Sequence, residues 1–105
     1  MGSRAVQQGR RDATHQPIAE HLRANGWTVL DIAAAKNGAD LAVSKDRFAA
    51  LIECKDGSKP PSARELTDSE QKLKDSWQGA YIVALGPEDA LEKLTVEMYL
   101  SGRGI

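Results

Sequence analysis

Two acidic side chains and a lysine are the residues here whose types and spacing could do chemistry. Asp40 closes the run Gly38-Ala39-Asp40, and thirteen residues later comes Glu53-Cys54-Lys55. Side chains alternate along a strand, so Glu53 and Lys55 share one face and Cys54 takes the other. A carboxylate and an ammonium then stand side by side at the end of the apolar run Phe48-Ala49-Ala50-Leu51-Ile52. A hairpin turning on Lys45 and Asp46 sets Ser44 against Arg47 and Asp40 against Leu51. Asp40 becomes the diagonal neighbour of Glu53 on the same face, with backbones about 7–8 Å apart. A one-residue bulge would reverse that facing.

Such a set suits one hard cation. Mg²⁺ is held by one or two carboxylates together with waters and substrate phosphate oxygens, without a full protein cage. The metal lowers the pKa of bound water and offsets charge building on phosphorus. A neighbouring lysine can orient the attacking water and stabilise the developing oxyanion. Asp40 and Glu53 are the candidate metal ligands, the backbone carbonyl of Cys54 an additional one, and Lys55 the catalytic amine. The bland alternative is a turn aspartate followed by an exposed Glu-x-Lys ion pair.

The elements that must position these groups can be read along the chain. Residues 1–12 lack apolar periodicity and read as a basic arm carrying Arg4, Arg10 and Arg11, leaving 13–105 as the folded domain. Thr14 to Pro17 reads as a helix start, with Ile18 and Leu22 on one face and Asn25-Gly26 as the stop. Trp27 to Ile32 is β-rich. Two further strands, Ala39 to Ser44 and Phe48 to Lys55, form the hairpin. Asp56 to Leu66, with Gly57, Pro60 and Pro61, is a loop. Thr67-Asp68-Ser69-Glu70 has capping-box spacing and opens a helix that turns Leu66, Leu73 and Trp77 to the core. Ala80 to Leu85 is an apolar strand without alternation, as expected of a central or parallel strand buried on both faces. Gly86 to Asp89 starts a third helix through Leu94, while residues 95–105 could extend it, form a strand or meet a second subunit. The expectation is a single α/β domain of α-β-β-β-α-β order, a mixed central sheet flanked by helices.

Composition removes whole classes. The chain has 105 residues, 41% of them hydrophobic and 28% charged, which are ordinary proportions for one globular domain. No apolar run approaches the roughly 18 residues needed to span a bilayer, and a cytoplasmic location is expected. One cysteine excludes an internal disulfide and cannot build a thiolate zinc site. Cys54 reads as a buried small apolar residue, and His15 and His21 have no ligand-spaced partners. The net charge is −1, but residues 36–64 carry six basic against four acidic side chains. That end could face an anion.

The stretch Gly38-Ala39-Asp40 with Glu53-Cys54-Lys55 resembles the PD-(D/E)xK nuclease signature. The remainder is similar to the VRR-Nuc-like branch, especially small phage and prophage proteins of Holliday-junction-resolvase type. Asp12-Ala13 with Gln16-Pro17 matches ahead of the hairpin. After it come Lys55-Asp56-Gly57-Ser58-Lys59-Pro60-Pro61-Ser62, Leu66-Thr67 and Gln71. The resemblance covers roughly residues 12–94. Ala39 stands where a proline usually precedes the motif aspartate, which removes no ligand.

The resemblance implies a restriction-endonuclease-like core and metal-dependent hydrolysis of DNA phosphodiester bonds, with Mg²⁺ or Mn²⁺ as cofactor. It makes Asp40 and Glu53 metal ligands and Lys55 catalytic. It also matches Glu20 to a glutamate near the metal and Gln71 to a glutamine that steers a water or phosphate. Read locally, Glu20 instead pairs with Arg23 on its helix and Gln71 is a surface amide. Lys59 and Arg64 beyond the catalytic strand, with Arg10, Arg11, Lys36 and Lys72, are candidates to grip phosphates. Trp27 and Trp77 sit in apolar runs and read as core. The function expected is a structure-selective endonuclease on branched or junction DNA, working as a homodimer because a four-way junction needs two symmetric cuts. The alternatives are a flap or nicking nuclease of the same fold, or a non-catalytic DNA-binding or assembly module.

Overall fold

Strand β3 (Phe48–Cys54) is where the fold is organised, because it pairs on both sides and carries the densest apolar run. The computed structural model describes residues 14–102. The basic arm with Arg10 and Arg11, the Asp12-Ala13 pair and residues 103–105 lie outside the described residues.

Helix α1 covers 14–24 of the described residues, so Thr14 is already helical and is not its cap. It stops where Asn25-Gly26 says it should. The Gly26 amide donates to the Arg23 carbonyl and the Trp27 amide to that of Leu22, a Schellman ending. Then come β1 (Thr28–Asp31), a 3₁₀ turn at Ala33–Ala35, β2 (Leu41–Lys45), β3 and a second 3₁₀ turn at Pro61–Arg64. Helix α2 (Asp68–Ser76), β4 (Ala80–Ala84) and helix α3 (Pro87–Leu100) complete the order. The sheet runs β1-β2-β3-β4, with β1–β2 and β2–β3 antiparallel and β3–β4 parallel.

The hairpin differs from the sequence expectation by two residues of register. Leu41 pairs with Ile52 and Lys45 with Phe48, so the turn is Asp46-Arg47, not Lys45-Asp46. Both turn residues have positive φ (51° and 69°), which is the type I′ geometry that matches strand twist. Lys45 stays in the strand, its Nζ donating to the Asn25 carbonyl 3.0 Å away and lying 6.0 Å from the Trp27 ring. A shift of two keeps every side chain on its expected face.

The two faces of the sheet are unlike. On one, Val29, Leu41, Val43, Phe48, Ala50, Ile52, Cys54, Ile82 and Ala84 form one core with Ile18 and Leu22 of α1 and Ala90, Leu94 and Met98 of α3. Trp27 packs edge-on to Phe48 there, ring centroids 6.1 Å apart. Complete burial of Ile18, Leu22, Leu41, Ile52 and Leu94 stabilises the fold by about 1.5–3 kcal/mol per side chain.

On the other face lies α2, which has no buried residue. Its capping box is present, Thr67 and Glu70 each bonding the other's amide. The predicted core role of Trp77 is corrected: the residue is 43% exposed, and Leu73 is half-buried. The reason is that α2 covers one corner of this face only. Strand β4 is likewise an edge strand, though parallel as expected. Its apolar run reflects α3 on one side and the tucked Tyr81 on the other, whose hydroxyl donates to the Gly38 carbonyl at 2.7 Å. The ambiguous tail continues α3 to Leu100, with Val96, Tyr99 and Leu100 exposed.

Candidate metal centre

Four elements bring charged groups to one end of the sheet. The Asp40 amide donates to the Ile52 carbonyl at 2.9 Å, and one further step of the β2–β3 register sets Asp40 directly opposite Glu53. Sequence alone made them diagonal neighbours; the I′ turn makes them a facing pair. Asp40 Oδ2 accepts the Cys54 amide at 2.8 Å, which locks the carboxylate against the end of β3. The Cys54 carbonyl was the expected extra ligand, but it is the amide of that residue that meets Asp40.

Lys55 follows β3 and is fixed by the sheet, its amide donating to the Ala84 carbonyl. Its Nζ lies 3.4 Å from Glu53 Oε2 and 2.9 Å from Glu70 Oε1. Glu70 is a residue that sequence reasoning assigned only to a helix cap. Its Oε1 accepts both the Thr67 amide and the Lys55 ammonium, so the capping box aims it into the site. Its signal was legible in hindsight, since a capping-box glutamate points back across the helix start.

Packing holds α2 there. Gly38 has φ +106°, and a β-carbon on it would come within 2.9 Å of the Ser69 carbonyl oxygen and 3.0 Å of Leu73. At the far side of the site a β-carbon on Gly57 would sit 2.5 Å from the Leu85 carbonyl oxygen, to which the Gly57 amide bonds. Both glycines permit approaches that no other residue allows.

The electrostatics are those of crowded carboxylates. Glu53 is 5% exposed, and its pKa is pushed up to about 9 by burial and by the charges of Asp40 and Glu70, against the pull of Lys55. Burial also acts to raise Asp40, but bonds from His15 and the Cys54 amide prevail and hold it below the usual carboxylate range. Glu70 is lowered: burial is outweighed by bonds from Thr67 and Lys55. In Lys55 burial works downward, yet its bond to Glu70 and the charge of Glu53 raise it. At neutral pH the cluster therefore carries two carboxylates, one ammonium and a protonated Glu53. That proton occupies the place in the charge balance that a bound cation would take.

An open hollow of about 220 Å³ lies against this cluster, lined by Asp40, Glu53, Ser69, Glu70, Gly38 and Lys36 among others. It has room for several waters at roughly 30 Å³ each. Facing carboxylates, a proton to displace and space for waters together fit a magnesium-class ion. Lys55 itself lines a second hollow of about 190 Å³ with Thr14, Pro17, Gly86 and Pro87.

Other expected site residues go elsewhere. Glu20 is exposed and accepts from Gln16 Nε2 at 2.9 Å, while Arg23, its expected partner, donates to the Val29 carbonyl. Gln71 is exposed and donates to Asp75 at 2.8 Å. Among the described residues neither bonds to Asp40, Glu53 or Lys55; each bonds along its own helix. Of the phosphate-gripping candidates, Lys36 is the one at the hollow. Lys59 and Lys72 are exposed and Arg64 is half-buried, its Nε without a hydrogen-bond partner among the described residues. His15, assigned no role in the sequence, lies with Nε2 3.4 Å from Asp40 Oδ2.

Compared with models of protein families, with curated proteins and with solved structures, the chain gave no match. No helix of the described residues is long and apolar enough to cross a membrane.

Proposed function

We propose that this protein is a divalent-metal-dependent endonuclease of restriction-endonuclease-like fold, hydrolysing phosphodiester bonds of branched or junction DNA. The observation that carries the reading is Glu53, buried between the carboxylates of Asp40 and Glu70 with the Lys55 ammonium 3.4 Å away. Burying acids together is costly unless a cation completes the set. The four-stranded mixed sheet and the Asp40 and Glu53-x-Lys55 spacing accord with the PD-(D/E)xK resemblance.

Asp40 and Glu53 would hold the ion, Mg²⁺ or Mn²⁺. When bound, it supplies an acidified water and neutralises charge gathering on the phosphorus. Asp40 is fixed for this by the Cys54 amide, so little reorganisation is needed. Glu53 would hold the ion as its carboxylate. Lys55, shared between Glu53 and Glu70, keeps its charge and presents an N–H to the non-bridging phosphate oxygen or to the attacking water. Lys36 at the rim, with Lys59 and Arg64, contacts backbone phosphates, which sets affinity without base readout. A homodimer belongs to the reading, since a junction is resolved by two symmetric cuts.

The test is incubation of the full chain with plasmid, flap and four-way-junction DNA, with and without Mg²⁺ or Mn²⁺. Metal-dependent cleavage that disappears in Glu53→Ala and Lys55→Ala is the expected result. DNA binding that is indifferent to both changes, with no cleavage under either metal, would instead make the protein a binding or assembly module.

A further inference from the structure

We infer that His15, Asp40 and Cys54 form a second metal site, for a zinc-class ion held by imidazole nitrogen, carboxylate oxygen and thiolate sulfur. A ligand atom from each lies within 4.8 Å of the other two. The three come from α1, the residue before β2 and the end of β3, so the lone cysteine and the histidine, which sequence left without zinc-ligand partners, are brought beside a carboxylate by the tertiary fold. His15 Nε2 and Asp40 Oδ2 are 3.4 Å apart. Two ligands on one tetrahedral zinc, at bonds of roughly 2.0–2.2 Å, stand about 3.3 Å apart. The imidazole that bonds Asp40 thus already stands at a separation a shared ion could bridge.

The donor set then selects the ion. Magnesium takes oxygen, whereas mixed nitrogen, oxygen and sulfur donors favour zinc and its neighbours. Three protein ligands leave a fourth position for water. Binding converts the Cys54 thiol to thiolate and releases its proton to solvent. The site takes Cys54 from the core side of β3 and shares Asp40 with the carboxylate cluster. It does not depend on the protein being a nuclease.

The experiment is titration of the metal-stripped full chain with Co²⁺, which reports a thiolate ligand by sulfur-to-cobalt charge-transfer absorption in the near ultraviolet. The expected result is such a band, displaced by Zn²⁺ and surviving a large excess of Mg²⁺. Cys54→Ala abolishes the band, and His15→Ala weakens cobalt binding about tenfold or more. Far-UV circular dichroism establishes that each variant is folded. A wild-type spectrum with no charge-transfer band overturns the proposal, as does a band that persists in Cys54→Ala. Should Cys54→Ala fail to fold, His15→Ala decides alone, and unchanged cobalt affinity in that folded variant overturns it. No arm reads DNA cleavage, so this proposal and the nuclease reading fail separately.

Discussion

On one face of β3, Phe48, Ala50, Ile52 and Cys54 meet Ile18, Leu22 and Leu94 in a continuous apolar core. On the other face of the same strand, one residue along, Glu53 is just as buried but lies among acids. The first face lowers the free energy of folding by removing hydrocarbon from water. The second raises it, because a carboxyl group out of water must hold a proton or find a cation. The contrast teaches where stability and chemistry are kept apart in a small domain: they sit back to back across one strand. A single backbone positions both, and the Cys54 amide that holds Asp40 links one face to the other.

The largest expected effect breaks the apolar side. Ile52→Ala should destabilise the protein by about 2–5 kcal/mol, measured by urea unfolding, because the site is fully closed and cannot collapse around the void. Glu53→Gln, one residue on, should change stability at pH 7 by less than about 1 kcal/mol, since the native side chain is already neutral there. Equal losses from the two would erase the contrast.

Next comes Lys55→Ala, expected to lower the rate of the proposed cleavage by about 10²–10³-fold through loss of one charge-stabilising donor, measured on protein shown to be folded by circular dichroism. Gly38→Ala should follow, destabilising by about 1–3 kcal/mol through its left-handed φ and the crowding of Ser69. Because it pushes α2 outward, it should also reduce cleavage by withdrawing Glu70 from Lys55. Activity that survives the Gly38 change would show that Glu70 is dispensable.

A gentler test uses pH. Glu53 binds its proton up to about pH 9 in the folded chain and releases it near the ordinary 4.5 when unfolded. Between those values the folded state holds more protons, so this group makes stability fall as pH rises, by at most about 1.4 kcal/mol per pH unit. Thermal unfolding in chelator should show that downward slope, and Glu53→Gln should flatten it. The smallest effects belong to Glu20→Ala and Gln71→Ala, each expected to leave cleavage within about twofold because both side chains bond to their own helix. A large loss from either would extend the site beyond the hollow.

Much of this was legible along the chain. Phe48 to Lys55 reads as a strand and forms one as Phe48–Cys54; Ala80 to Leu85 likewise as Ala80–Ala84. Alternation alone put Cys54 and Glu53 on opposite faces, as found. The capping box at Thr67 and the Asn25-Gly26 stop are short-range signals whose bonds form within a few residues. What failed were readings that needed to know what covers a surface. Trp77 looks like core by its neighbours, but nothing in sequence says that α2 covers only a corner of the sheet. The resemblance put Gln71 in the site and left Glu70 as a cap; that Glu70 meets Lys55 depends on a helix phase set by the close approach of Gly38 to Ser69 and Leu73, far away in the chain.

The order of residues by itself determined which side chains share a strand face, where α1 ends and α2 begins, and that Glu53 and Lys55 stand together at the end of β3. These follow from backbone periodicity and local hydrogen bonding, which act over a few residues. Tertiary structure decided that Asp40 faces Glu53 directly, that Glu70 completes the cluster, and that His15 reaches Asp40 across 25 positions. Those contacts depend on a turn geometry and on packing between elements, whose energies are summed over the whole molecule and written at no single position.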